Sequence, residues 1–298
     1  MSYLRRLGSL VIASALIAGT GLSEDASTLT AENGAEVKVY KDLSYYDGAD
    51  RDPDGFQTLD LYVPKGADHA PVLIFVHGGG WSYKEGDPHT RGRLGPHNPF
   101  FASHGVIVAS ISYRLSPAYK HPAHVEDVAR AFAWTKANVA KYGGDPGQIF
   151  LTGHSAGGHL VALVVADPKY LAAHQLSAAD VRGVMPISGT FTVGEKGDRL
   201  DKIWGTQEAA DDASPTNHIR AGLPPFLFFA GDQGQELERA EKSKAYAERL
   251  KEKGVSAEFV PVKDRDHSTI VTKLGAEGDL VAERMLGFVR EHAAPARR

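Results

Sequence analysis

The chain has 298 residues, 42% of them hydrophobic and 23% charged, enough to bury the core of one large α/β domain and unlike the composition of a disordered chain. A formal net charge of −4 leaves no basic footprint for nucleic acid and no polybasic stretch for an anionic membrane. There is no cysteine, so disulfides, thiolate catalysis and Cys-based zinc sites are excluded.

The chain opens with Arg5 and Arg6, then the apolar stretch Leu7 to Ala18, then small residues and the acids Glu24 and Asp25. This is the pattern of an export signal, and the apolar run is short for a membrane span. It predicts a leader over residues 1–23 and an exported, periplasmic or secreted protein with no stable membrane insertion after processing. An uncleaved anchor is the rival reading. Residues 24–298 are expected to form a single domain, since no linker, repeat or low-complexity tract divides them.

"AEVKVYKDLSYY" and "QTLDLYVP" alternate with period two, as half-exposed strands do. "PVLIFV" and "GVIVASISYR" are continuous apolar runs, the mark of strands buried on both faces. "HVEDVARAFAWTKANVAKYGG" predicts a helix with Val125, Val128, Phe132 and Val139 on one face and Gly143 and Gly144 as its stop. His121, just before it, and His124, its first residue, read as polar residues of a proline-entered helix start, because a metal needs further ligands. "QIFLTG" is another buried strand, followed by the apolar helix "SAGGHLVALVVA". Two more strands, "VRGVMPISG" and "PPFLFFAGD", flank an irregular stretch from Thr192 to Gly222. A charged helix, the strand "SAEFVPV" and the helix "GDLVAERMLGFVREH" complete the alternation. Strands and helices in turn predict an α/β fold with a mostly parallel central sheet and helices on both faces.

Within this pattern Ser155 sits in "GHSAG", between a buried strand and a helix. That context fits a nucleophile elbow, in which a tight turn holds the serine hydroxyl above the sheet. Gly153 and Gly157 would let the strand and helix come close enough for the turn to form. A serine needs a base to take its proton. His267 follows the final strand and suits that place, whereas His154 and His159 adjoin the serine and are expected to pack and bond locally. The run "HGGGW", His77 to Trp81, follows another strand, and successive glycines leave backbone amides open to an oxyanion. Gly78 and Gly79, with the N–H of Ala156, are the expected oxyanion donors.

Together "FVHGGGW", "SYRLSP", "HPAHVEDVARAFAW", "YGGDPGQIFLTGHSAGGHL" and "DRDHS" span most of residues 71–268. In these segments the chain resembles the α/β-hydrolases. More narrowly it is similar to bacterial carboxylesterases related to hormone-sensitive lipase, in the small-capped group of feruloyl and acetyl-xylan esterases and kynurenine formamidases. The resemblance implies a serine ester hydrolase working through a Ser-His-acid triad and an acyl-enzyme, with no cofactor and no metal. Relatives commonly carry the acid at the end of a G-x-x-D pattern after the penultimate strand, a place held here by Gly234. Asp232 is the expected acid, with Glu236 in reserve and Asp264 and Asp266 as remoter candidates.

The stretch of about thirty residues between the two late strands is too short for a substantial helical cap. Trp81 is the expected substrate-binding wall beside the oxyanion loop, with Phe191 and Trp204 as further candidates. An open site with a small cap suits short or aromatic acyl groups, and an exported enzyme suits a small-molecule or polysaccharide-linked ester. A formamidase or amidase reaction is the enzymatic alternative. A non-catalytic binding protein is the other, suggested by Gly234 where the usual acid is missing.

Overall fold

The computed structural model describes residues 26–82, 97–194 and 200–293. The export segment read over residues 1–23 lies outside the described residues. The strands, in chain order, are β1 (Ser27–Thr30), β2 (Glu36–Ser44), β3 (Thr58–Pro64), β4 (Ala70–Val76), β5 (Ile107–Ile111), β6 (Gly144–His154), β7 (Gly183–Ile187), β8 (Phe226–Gly231) and β9 (Ala257–Val262). They form one sheet in the order β1-β2-β3-β5-β4-β6-β7-β8-β9. The first three strands pair antiparallel down to the β3–β5 contact, and every pair from β5 to β9 is parallel.

The sequence pattern explains who lies where. The β2 strand alternates exposed and buried residues at its start, because it lies near one edge of the sheet. Strands β5, β7 and β8 are buried at every position, as central strands between two helical layers must be.

The helices are α1 (His97–Ser103), α2 (Ala123–Asn138), α3 (Ala156–Ala166), α4 (Pro168–Ala172), α5 (Gln207–Asp212), α6 (Glu236–Glu252), α7 (Thr269–Thr272) and α8 (Leu280–His292). All eleven residues of α3 are buried, so this helix is apolar on every side and sits inside the fold. Burial of Leu160, Val161, Leu163, Val164 and Val165 stabilises its seat by about 2 kcal/mol for each side chain. By contrast α6 buries only Glu236, Ser243, Tyr246, Ala247 and Leu250, one stripe of an otherwise charged helix.

The alternation read from the sequence is the one observed. The short elements β1, α1, α4, α5 and α7 carry no periodic signal, since at four to seven residues none completes two helical turns or a long alternation. The expected small cap is present as α5 with the single turns around Leu200–Trp204 and Pro215–His218. Among the described residues no helix is long and apolar enough to cross a membrane.

Candidate active site

The β6 strand ends at His154 and α3 begins at Ala156, leaving Ser155 alone on the turn at φ +55° and ψ −113°. A non-glycine residue in that region costs about 1–3 kcal/mol, less than the burial of α3 contributes. The turn closes only because its neighbours lack side chains. A Cβ on Gly157 would lie 2.0 Å from the Val76 carbonyl oxygen at the end of β4, and one on Gly153 would lie 2.5 Å from the carbonyl carbon of Gly157. The Ser155 amide donates to Ile187 O at 2.9 Å, which ties the elbow to the end of β7.

His267 lies on the loop between β9 and α7. Its Nε2 is 3.0 Å from Ser155 Oγ, and its Nδ1 is 2.7 Å from Glu236 Oε1. A carboxylate only accepts, so Nδ1 carries the proton and donates to Glu236, leaving Nε2 to accept from the serine hydroxyl. The loop around His267 is pinned by Asp266, whose Oδ1 accepts from the amides of Ser268 and Thr269 at 2.9 and 2.7 Å.

Asp232 is therefore not the residue beside the imidazole, and the expectation that it holds His267 is corrected. Its side chain is exposed and its Oδ1 accepts from the Asp264 amide at 2.9 Å, bracing the β8–α6 turn against the loop that carries His267. Glu236, the reserve candidate, occupies the place. It is the first residue of α6 and is fully buried. Its second oxygen, Oε2, accepts from the Gly231 amide at 3.0 Å and from the Ser188 hydroxyl. Arg239, one turn further along α6, has Nε 3.5 Å from Oε1 and donates through Nη1 to Ser188 O at 3.0 Å. Burial alone would push the Glu236 carboxyl up, but the hydrogen bonds from His267, Ser188 and Gly231 outweigh it and hold the group below its ordinary value.

Ser188, at φ +50°, is a site residue that the sequence does not single out. Its only signal is a hydroxyl residue directly after a buried strand, which many turns share. Asp264 and Asp266, the remoter acid candidates, lie on the His267 loop and bond to backbone there.

The loop after β4 approaches the elbow. A Cβ on Gly78 would lie 3.0 Å from His154 O and 3.3 Å from the Ser155 Cβ, so this residue borders the serine directly. Gly79 follows at φ +105°, where a side chain would be strained. Ala156 is the first residue of α3, and its N–H has no acceptor inside the helix. Among the described residues no hydrogen bond engages the amides of Gly78, Gly79 or Ala156.

Trp81 corrects a second expectation. It is only 3% exposed, packed edge-on against Trp204 with ring centroids 5.0 Å apart, and so is a strut behind the loop rather than an open pocket wall. Phe191 and Trp204 are buried in the same way, Phe191 stacked on Tyr246 at 4.6 Å. His121 and His124 go to separate partners, Asp212 Oδ2 at 3.1 Å and Ser116 Oγ at 3.0 Å. Among the described residues, Asp167, Asp212 and His218 bring ligand-type atoms within 4.8 Å of one another. The Lys169 ammonium stands between them, 2.8 Å from Asp167 and 2.6 Å from Asp212, so a side-chain cation already balances that charge. A cavity of about 660 Å³ beside β1 and α1 shares no wall with the Ser155 site.

A parallel sheet with one antiparallel flank, a strained serine elbow at its carboxyl edge and an imidazole from the loop after the last strand together give the chain the α/β-hydrolase fold. Comparison with known proteins agrees. Residues 59–177 match the BD-FAE family profile. The chain is 32% identical to a probable carboxylic ester hydrolase, LipM, of Mycobacterium tuberculosis, over 61% of this chain and 45% of that protein. It is 34% identical to the esterase LipC of the same organism, over 66% of this chain and 53% of that protein. The chain thus spans about half the length of these curated relatives. Among solved structures, a propionate-bound esterase of Thermogutta terrifontis matches at TM-score 0.64 and 27% identity, over 89% of this chain and 97% of that one. Esterase B of Lactobacillus rhamnosis shares the fold at TM-score 0.71 and 23% identity, over 86% and 87% of the two chains.

Proposed function

We propose that this protein is a serine carboxylic-ester hydrolase in which Ser155 is the nucleophile, His267 the general base and Glu236 the acid of the triad. The observation that carries the reading is the unbroken line from Ser155 Oγ to His267 Nε2 at 3.0 Å and from His267 Nδ1 to Glu236 Oε1 at 2.7 Å. His267 takes the hydroxyl proton as Ser155 attacks the ester carbonyl, and Glu236 holds the imidazole in the required tautomer and stabilises its cation. The amides of Gly78, Gly79 and Ala156 receive the negative oxygen of the tetrahedral intermediate. The imidazolium then protonates the departing alcohol, and water attacks the acyl-enzyme by the same route. Every step uses groups of this chain.

Glu236 also removes the argument for a non-catalytic binding protein, which rested on Gly234. Short acyl groups are the proposed substrates, supported by the small cap and by the propionate held by the Thermogutta esterase. Acetyl or feruloyl esters of plant polysaccharide are the proposed natural class, reached outside the cell after removal of residues 1–23. The test is release of p-nitrophenol from acetyl, butyryl and decanoyl esters, and of ferulate from methyl ferulate, by the protein and by Ser155→Ala. Turnover that falls with acyl length and disappears in Ser155→Ala is expected. No release above the Ser155→Ala background on any of these esters overturns the reading.

A further inference from the structure

His159 stands one turn into α3 from Ser155, and its amide donates to Ser155 O at 3.0 Å. The side chain is wholly buried. Its Nδ1 lies 3.1 Å from Trp81 Nε1, and its Nε2 lies 2.7 Å from Ala213 O. An indole N–H only donates and a carbonyl only accepts. Both contacts are satisfied at once by one form alone, the neutral imidazole with its proton on Nε2. Burial, which disfavours the cation, pushes the group down to about 3 and agrees with that form.

Trp81 closes the oxyanion loop at φ +57°, a conformation that costs a bulky residue energy and needs outside support. Its carbonyl accepts from the Ser116 amide at 2.8 Å, its indole N–H is held by His159, and its ring is flanked by Trp204. His159 thus joins three parts that the chemistry needs in register: the nucleophile helix on which it sits, the loop of Gly78 and Gly79, and the Ala213 carbonyl just after α5 of the cap.

We infer that His159 is a positioning residue for the oxyanion loop, acting through Trp81 as a neutral hydrogen-bond relay between that loop and the cap. This rests on the ester-hydrolase reading of the site. The loop amides matter most when negative charge develops on the substrate oxygen, so loss of the relay weakens the transition state more than substrate binding. Displacement of the amides by about 1 Å is enough for a hundredfold effect on rate.

His159→Leu removes both hydrogen bonds, Trp81→Phe removes the donor while keeping a ring, and His159→Asn returns an acceptor near the Nδ1 position. On p-nitrophenyl acetate, His159→Leu and Trp81→Phe are expected to lower kcat about ten- to a hundredfold with KM within about twofold. Affinity for a trifluoromethyl ketone, which forms an oxyanion on Ser155, should fall by the same factor as kcat/KM, and His159→Asn should recover part of the loss. The double variant should be no worse than the worse single one. Folded His159→Leu or Trp81→Phe with kcat within twofold of the parent overturns the inference while the hydrolase reading stands. A lower melting temperature with unchanged kcat overturns it as well, because that result reports packing alone. Should the parent itself prove inactive, the hydrolase reading fails. The relay is then read from the Trp81 indole proton by NMR, which should keep a downfield, slowly exchanging signal in the parent and lose it in His159→Leu. An unchanged signal rules out the relay.

Discussion

Glu236 reaches its place because α6 begins early. The turn after β8 brings the Gly231 amide against the Glu236 carboxylate, so the acid enters from the first residue of the helix and not from the preceding loop. Replacing Glu236 with Gln keeps the shape and removes the charge that favours the imidazolium. A fall in kcat of about a hundred- to ten-thousandfold is expected for Glu236→Gln, while Asp232→Asn should stay within about threefold. Steady-state kinetics on p-nitrophenyl acetate separates the two variants, and a large loss in Asp232→Asn alone would restore the aspartate. Ser155, Gly78 and Gly79 are legible in the sequence because each follows a buried strand whose apolar run marks where it ends, and His267 because it comes directly after the last strand. The acid is not, since which of Asp232 or Glu236 faces the imidazole depends on where α6 starts. That boundary is set by bonds to Gly231 and Ser188, residues outside the α6 sequence itself. The place of Trp81 is hidden for a related reason. An aromatic residue after glycines looks the same whether its ring faces the substrate or the core.

The elbow depends on two elements approaching closer than side chains ordinarily allow. The β4 strand and α3 meet where Gly157 would place a Cβ 2.0 Å from Val76 O, a contact no rotamer relieves because both partners are backbone. Gly157→Ala must push α3 away from the sheet and carry Ser155 with it. A loss of about 1–3 kcal/mol or more in stability is expected, together with at least a tenfold fall in kcat. Chemical denaturation and kinetics on the same preparation check this, and an alanine variant with parental stability and kcat would show that the elbow has slack. The glycine crowding at this point is readable, because glycines flanking a serine between apolar runs have few other uses. The short elements are not. Both α1 and α5 hold their places through contacts distant in sequence, such as His121 with Asp212, and a segment of six or seven residues displays too little periodicity to announce itself.

Across the fold as a whole, several histidines are sealed in the interior, His124, His154 and His159 among them. Burial pushes His124, His154 and His159 each down to about 3, so the folded protein keeps them neutral throughout the mildly acidic range. The unfolded chain protonates them near its ordinary value of about 6.5. Their folded values lie below the unfolded one, so the folded state loses ground as the pH falls from about 6.5 toward 3. Each of the three then binds a proton in the unfolded chain that the folded chain excludes, and the three penalties act in the same direction. Against a typical stability of about 5–15 kcal/mol, a penalty that grows with each step of acidification erodes the margin of the fold in mild acid. The melting temperature should be level from pH 7 to 8, decline below pH 6.5 and collapse between about pH 5 and 4. Calorimetry across that range checks it, and a melting temperature that is flat down to pH 4 would mean that these rings find partners for a proton. Glu236 adds to the same trend at lower pH, because its depressed carboxyl contributes stability above its ordinary value that is lost as the pH falls through the folded one.

Activation of Ser155 by His267 and Glu236 underlies every step proposed for this site, and it can be probed without knowing the natural ester. A fluorophosphonate transfers its phosphorus centre to an activated serine, and peptide mapping by mass spectrometry locates the adduct. One adduct per chain is expected, on Ser155, formed at least a hundredfold more slowly in Glu236→Gln and at nearly the parental rate in Asp232→Asn. A folded protein that takes up no label, or takes it at a different serine, would contradict this triad.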